Sequence, residues 1–186
     1  MLQKLDSIGS AHVAAHQVAL SCWLVSALVL DGVAVAAQVL LSKCMGHVKK
    51  MKSLVSYMFK FAGAQGLAAT LLLLAAAPFL PSVFTNDKAI LKHLHALMPQ
   101  VAWQQLLVSM TLVTESLAVG GNQFKLLAIG TTISTIISMW QLRQATDVVT
   151  IWSRGIVSLF VGRLVTSLIG IVRTLRQQRK TGNHTS

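Results

Sequence analysis

The sequence predicts an all-α, polytopic transmembrane helix bundle of about five spans, and three observations carry that expectation. Apolar residues make up 54% of the 186 positions and charged residues only 11%, whereas a soluble domain carries about 25% charged residues. The apolar residues fall into runs long enough to cross roughly 30 Å of hydrocarbon at about 1.5 Å per helical residue. The basic residues gather between those runs and at the C-terminus, where membrane loops carry them. A chain this poor in polar residues could fill a core but not cover it. With lipid as the outer solvent, apolar side chains face outward as well.

Each span has readable limits. The first, Ala11 to Ser42, would be roughly 48 Å long as a helix and must tilt or project beyond the bilayer. Lys43, Lys49, Lys50 and Lys52 close it, and a loop is expected from Lys43 to Lys60. The second, Phe61 to Phe84, contains the run ATLLLLAAAPFL and is closed by Pro81 and Thr85-Asn86-Asp87. Asp87 offers an N-cap for the helix that holds the third span, Leu97 to Val119. Pro99 removes one backbone donor inside that helix and is expected to kink it. Gly120-Gly121-Asn122 reads as a tight turn, followed by a fourth span, Phe124 to Leu142. A polar loop at Gln144 to Asp147 precedes the fifth, Val148 to Val172. Trp140 and Trp152 flank that loop, as expected of an interfacial aromatic belt. Residues 1–10 form a short N-terminal segment without the apolar core of a signal peptide, 11–173 one membrane domain, and 174–186 a basic polar tail.

The net charge is +11, from 16 Lys+Arg against 5 Asp+Glu. The placement of these charges in loops argues against nucleic acid as the partner. With the 43–60 loop placed inside, ten basic residues lie on that side and four on the other. Arg154 and Arg163 lie within the fifth span. The bias puts the N-terminus outside and the C-terminus on the cytoplasmic side, or on the matrix or stromal side of an organelle membrane. The glycosylation-type triplet Asn183-His184-Thr185 then falls on the unmodified side.

Few side chains inside the spans can carry chemistry. Glu115 lies near the inner end of the third span, where an ionised carboxylate costs at least about 2.5 kcal/mol unless it is paired, protonated or hydrated. It reads either as a proton- or cation-coupling or substrate-contact site, or as a snorkelling or structural ion pair. Arg163, deep in the fifth span, is the candidate partner. Asp31, followed by Gly32 in the first span, carries the same cost; it reads either as a functional site or, with Gly32, as a helix irregularity with exposed backbone groups. Gln17 and Gln38 share roughly one face of that span; they either contact substrate or tie helices together, and Gln104 and Gln105 are read the same way. His12 and His16 share a helix face at i, i+4, but no third ligand accompanies them and no metal site is expected. His93 and His95 are expected to face water. Cys22 and Cys44 have no CxxC spacing and read as packing residues. Ser158, Gly162, Thr166 and Gly170 form a small-residue stripe that permits close helix approach. No Walker loop, GxSxG or HExxH pattern occurs, and no enzyme is expected.

The stretch HVAAHQVALSCWLVSALVLDGVAVAAQVLLSKCMG, residues 12–46, resembles the helix of multidrug-and-toxin-extrusion (MATE) transporters that carries an AxHQ motif and ends in AxQ…G. Its DGVAVAAQ wording is most similar to the DinF-like branch, which includes plant members. Phe84-Thr85-Asn86-Asp87 is similar to that family's FTxD turn, and Glu115 to Phe124 occupies the place of its (D/E)GxxxGxxxF segment, with Ser116 where the family has Gly. Trp152-Ser153-Arg154-Gly155 stands where the family carries W-x-x-G. The resemblance covers residues 8–175 and implies helices eight to twelve of a twelve-helix transporter, part of its C-terminal lobe. It implies antiport of H+ or Na+ as coupling ion against small organic compounds, with no other cofactor. Glu115 then fills the place of an acidic ion-binding residue on the tenth helix. The remaining seven helices have no counterpart here. The chain is therefore expected to be a truncated product, an incomplete gene or a short isoform, unable to transport alone. The alternative is a non-transporting membrane protein that associates with itself or a full-length homologue through its helices, with the small-residue stripe as the contact. A plastid or plasma membrane is the expected location.

Overall fold

The computed structural model describes residues 10–145 and 147–182. Helix α1 is Ser10–Lys43, α2 Val48–Ala76, α3 Leu80–Phe84, α4 Lys88–Gly120, α5 Phe124–Gln144 and α6 Val148–Thr150. A π-helical turn, Ile151–Ile156, then leads into α7, Val157–Gly182. No strand occurs among the described residues.

Local chemistry explains the breaks. The α1–α2 connection is a four-residue turn in which Gly46 has φ +87°, a conformation that glycine adopts without a Cβ penalty. The expected 43–60 loop is therefore corrected. Lys49, Lys50 and Lys52 are good helix formers, and they continue α2 beyond the apolar run instead of interrupting it. Helix α2 ends at Ala76, two residues before Pro78, which cannot continue a helix, so the expected 61–84 span is split. Pro81 sits in the first turn of α3, where a missing N–H costs nothing. The Asp87 carboxylate accepts from the Ala89 backbone N–H at 2.8 Å and caps α4. Pro99 lies inside α4, which runs unbroken from Lys88 to Gly120. Asn122, at φ 60°, makes the α4–α5 turn in the left-handed region that Asn tolerates. Asp147 caps α6 by accepting from the Thr150 N–H at 3.1 Å.

Helix α4 is the hub. It packs on α1, α2 and α7, while α5 lies along α7. One apolar cluster joins Ala15 and Ala19 of α1 to Leu94, Leu97 and Val101 of α4 and to Ile151 and Trp152. A second, toward the other end, joins Ala34, Ala37 and Leu41 to Met51, Met58, Val113, Leu117 and Ile171. Helix approach is close where Gly120 of α4 meets α1: a Cβ there would lie 2.6 Å from the Gln38 carbonyl oxygen. The small-residue stripe is used internally, since Gly162 faces Ser134 of α5, Thr166 faces Gly130, and Gly170 faces Ala118. Close packing of α7 on α5 and α4 thus occupies the surface that was expected to hold an external partner.

The outer surface is apolar. Val29 is 75% exposed, Leu72 71% and Val83 77%, which water does not favour and hydrocarbon does. By length and apolar composition three helices are long enough to cross a membrane: His12–Lys43, Val48–Ala76 and Val148–Lys180. Helices α4 and α5 are more polar for physical reasons. Gln104, Gln105, Ser109, Thr111 and Thr114 of α4 are buried against protein, not lipid. The α5 hydroxyls of Thr132 and Thr135 donate to the carbonyls of Ala128 and Thr131, one turn back, so they present no free donor to an apolar solvent. The architecture is an all-α membrane bundle.

Candidate functional site

Two polar constellations lie inside the bundle. The first is an ion pair. Arg163 of α7 donates from Nε to Glu115 Oε1 at 2.8 Å and from Nη2 to Oε2 at 2.5 Å. This two-pronged arrangement satisfies both carboxylate oxygens with one planar group. The side chains are 24% and 15% exposed respectively. The Arg163 guanidinium also stands 5.1 Å from the centre of the Phe160 ring, one turn away, within cation–π range. The pair opens onto a groove of about 560 Å³ between α4, α5 and α7, lined also by Thr131, Thr132, Thr135, Leu127 and Ile136. Among the described residues this is the one salt bridge.

The helix geometry explains why these two meet. Thr111 and Thr114 precede Glu115 on α4. Thr114 shares a 2.7 Å hydrogen bond with Ser167 of α7, and Thr111 donates to the Phe160 carbonyl at 3.4 Å. These small polar contacts lock the register of α7 on α4, and Arg163 lies between the two contacts on the α7 side. Chemically, the site is a carboxylate neutralised by a tethered cation, bordered by hydroxyls, at the edge of an apolar bundle.

The second constellation gathers round the π-helical turn. Trp152 is fully buried and donates from Nε1 to His16 Nδ1 at 3.1 Å. It is therefore corrected from an interfacial residue to a core residue; Trp140, 61% exposed, remains at the surface. The wider turn leaves carbonyls free for side chains of neighbouring helices. Gln104 of α4 donates to the Trp152 carbonyl at 2.9 Å, and Ser138 of α5 donates to the Gly155 carbonyl at 2.6 Å. His16 is thus a hydrogen-bond acceptor in the core, and its i, i+4 neighbour His12 stacks on His93 at 3.8 Å between ring centres. His93 is half-buried by that stack, a correction to its expected exposure to water. Burial, then the neighbouring His12 and Lys92, push the His93 imidazole below its ordinary value. Among the described residues no three His, Cys, Asp or Glu side chains converge as a metal site would require.

The remaining predicted residues lie elsewhere. Gln17 and Asp31 are exposed on the outer face of α1 and Gln38 is half-buried; none lines the Glu115 groove. The structure brings together Glu115 and Arg163 and leaves the α1 residues as a separate polar strip. Of the two buried glutamines in α4, Gln104 links helices, whereas Gln105 donates to the Val101 carbonyl of its own helix. The role of Ser138 has no signal in the sequence, because a serine near an exposed tryptophan carries no sign that it will donate to a π-turn carbonyl. Asn183-His184-Thr185 lies outside the described residues.

Comparison with known proteins gives two matches. The MatE family model matches residues 2–140, a range that includes Glu115 and stops short of Arg163. Protein DETOXIFICATION 42 of Arabidopsis thaliana is 29% identical over 133 residues, 70% of this chain and 26% of that protein. The chain thus spans about a quarter of the length of the curated relative it matches. No solved structure matches.

Proposed function

The chain belongs to the MatE family of membrane transporters, and from that premise we propose that it contributes part of the C-terminal lobe of a secondary active transporter, exchanging H+ or Na+ for small organic compounds. The observation that carries this reading is the Glu115–Arg163 pair. A carboxylate inside the bundle, on a groove bordered by threonine hydroxyls, is a group whose charge state can bias helix packing. A coupling ion that takes the place of Arg163 on Glu115 frees α7 from α4 at this point, and its departure restores the contact. Coupling of that kind needs only differential affinity of the ion for the two packings. Asp31, Gln17 and Gln38 contact substrate or ion from the outer face of α1, where further helices of the assembled transporter close a cavity. The name of the Arabidopsis relative, DETOXIFICATION, is in keeping with this reading.

In this reading the 186 residues do not transport alone, because the groove is open on its outer side. The basic end, with the C-terminus, faces the cytoplasm or stroma, in a plasma or plastid membrane. The alternative, a non-transporting regulator bound to a full-length homologue, would have to use a surface other than the α7 small-residue stripe, which α5 and α4 already cover.

The test is reconstitution in proteoliposomes with a fluorescent organic cation and an imposed proton or sodium gradient. The chain alone is expected to give no gradient-driven flux. A chimera in which residues 10–182 replace the matching segment of the Arabidopsis relative is expected to give flux that Glu115→Gln abolishes. Full flux through the Glu115→Gln chimera would remove the coupling role. Flux through the chain alone would remove the claim that it needs further helices.

A further inference from the structure

At the end of the bundle that carries the α1–α2 turn, the α4–α5 turn and the end of α7, no acidic side chain stands among the described residues. Lys49, Lys50 and Lys52 of α2 and Arg176, Arg179 and Lys180 of α7 are exposed there. Of the five acidic residues of the chain, the four among the described residues are placed elsewhere. Asp87 and Asp147 cap helices at the opposite end, Glu115 is paired with Arg163, Asp31 lies within α1, and Asp6 is outside the described residues. Uncompensated positive charge at a membrane interface recruits external anions.

A pocket of about 710 Å³ is built into this end. Lys125 and Arg173 line it with Asn122 and Gln178, and Phe124 and Ile129 line its apolar side. Three separate connections hold its walls. The Gly46 N–H donates to Gln178 Oε1 at 2.9 Å, Thr174 donates to the Gly121 carbonyl at 3.2 Å, and Gln123 donates to Gln177 Oε1 at 3.2 Å. The α1–α2 turn and the α4–α5 turn are thereby both fastened to α7, so the pocket is a fixed concavity. Phe124 and Ile129 are 57% and 61% exposed and continue the pocket onto the lipid-facing surface of α5. Cationic groups at one side and an apolar wall running toward hydrocarbon at the other match a molecule with an anionic head and acyl chains.

We propose that this pocket binds an anionic phospholipid, with Lys125 and Arg173 on the phosphate and Phe124 and Ile129 along the start of an acyl chain. A lipid held there joins α5 to α7 and the α1–α2 turn at the interface, and it brings negative charge to the exposed lysines and arginines of this end. The proposal rests on the membrane location of the chain and not on the coupling role of Glu115.

The experiment is lipid titration of the detergent-purified chain, read by native mass spectrometry, with phosphatidylglycerol and phosphatidylcholine of equal chain length. Wild-type chain is expected to bind phosphatidylglycerol about tenfold more tightly than phosphatidylcholine. Lys125→Gln with Arg173→Gln should remove most of that preference. Lys88→Gln with Lys92→Gln, which removes equal charge at the opposite end, should keep it. Circular dichroism checks that each variant retains its helix content, and Lys125→Arg with Arg173→Lys should retain the preference. Glycerol phosphate is expected not to displace the lipid. Equal binding of the two lipids by wild-type chain, or an unchanged preference in the Lys125/Arg173 variant, would overturn the proposal. Displacement by glycerol phosphate would reduce the site to a phosphate site and overturn the lipid assignment.

Discussion

Removing the Arg163 guanidinium should destabilise the bundle more than removing the whole pair does. Breaking a buried ion pair by truncating one partner costs about 3–5 kcal/mol, because the other charge is left without compensation. Here the side chains are 24% and 15% exposed and the groove is open on one side, so screening lowers the expected cost of Arg163→Met to about 2–3 kcal/mol. Glu115→Leu should cost a similar amount by stranding Arg163, offset in part by the guanidinium's contact with the Phe160 ring. The double variant replaces the pair by apolar side chains of comparable volume and should lie within about 1 kcal/mol of wild type. The resulting coupling energy, the cost of the double variant minus the costs of the two single ones, is about 3–5 kcal/mol in magnitude. Arg163→Lys keeps the charge but loses the two-pronged geometry, and should fall between wild type and Arg163→Met. Thermal unfolding of the detergent-solubilised protein, followed by circular dichroism at fixed detergent and salt, reads these differences as midpoint shifts. Additive single effects, with coupling below about 0.5 kcal/mol, would refute the claim that the two groups act as a unit. The coupling role in transport would then lose its structural basis.

Other perturbations test the remaining contacts. Gly120→Ala places a methyl 2.6 Å from the Gln38 carbonyl oxygen and should cost about 1–3 kcal/mol by forcing α1 from α4. The control Gly32→Ala, with nothing within 4 Å, should be neutral or slightly stabilising in the same unfolding measurement. Trp152→Phe removes the donor to His16 Nδ1 and should cost about 1 kcal/mol; Trp152→Phe with His16→Leu should recover part of it, and no recovery would mean that the cost is packing alone. His93, ahead of the membrane-spanning part of α4, has a folded-state pKa below its unfolded value. The unfolded chain therefore binds more protons between the two values. Stability should be fully present above about pH 6.5 and fall as pH drops through the folded value. In His93→Gln that loss should be reduced, and an identical pH profile would assign it to other groups.

Much of the fold was legible because hydrocarbon imposes strong rules. Asp87 after Thr85-Asn86 marked the start of α4, and Gly120-Gly121-Asn122 its end, because a cap and a left-handed turn need particular residue types. The α1–α2 connection was misjudged for a related reason. Clustered charge suggests a loop, yet helix propensity does not end where the bilayer does, and Lys49 to Lys52 simply carry α2 into the interface. Trp152 was misplaced because an aromatic residue next to a polar loop is compatible with the belt and with the core. What decides between them is His16, 136 residues away in sequence, with a ring nitrogen able to accept. For the same reason, depth from the inner end identified Glu115 and Arg163 as partners, while their two-pronged geometry depended on the Thr114–Ser167 and Thr111–Phe160 contacts, which set the register of α7.

Asp31 shows where the solvent argument leads next. It is exposed on α1, on the outward side that also carries Leu28 and Val35, 72% and 54% exposed. Gln17 and Gln38 lie within about 60° of it around the helix at 100° per residue. A lipid-facing carboxylate near mid-bilayer costs about 2.5–3.5 kcal/mol, and no described side chain pairs with it. Neither condition suits a helix face bathed in hydrocarbon along its whole length. Both suit a face that meets a hydrated cavity along one strip and protein or lipid on either side. The α1 strip and the Glu115 groove lie on different helices, so the proposed mechanism assigns the polar surface to α1 and the switching contact to α4 and α7. Helix α4 packs against both α1 and α7, so the proposed charge change at Glu115 would reach α1 through it.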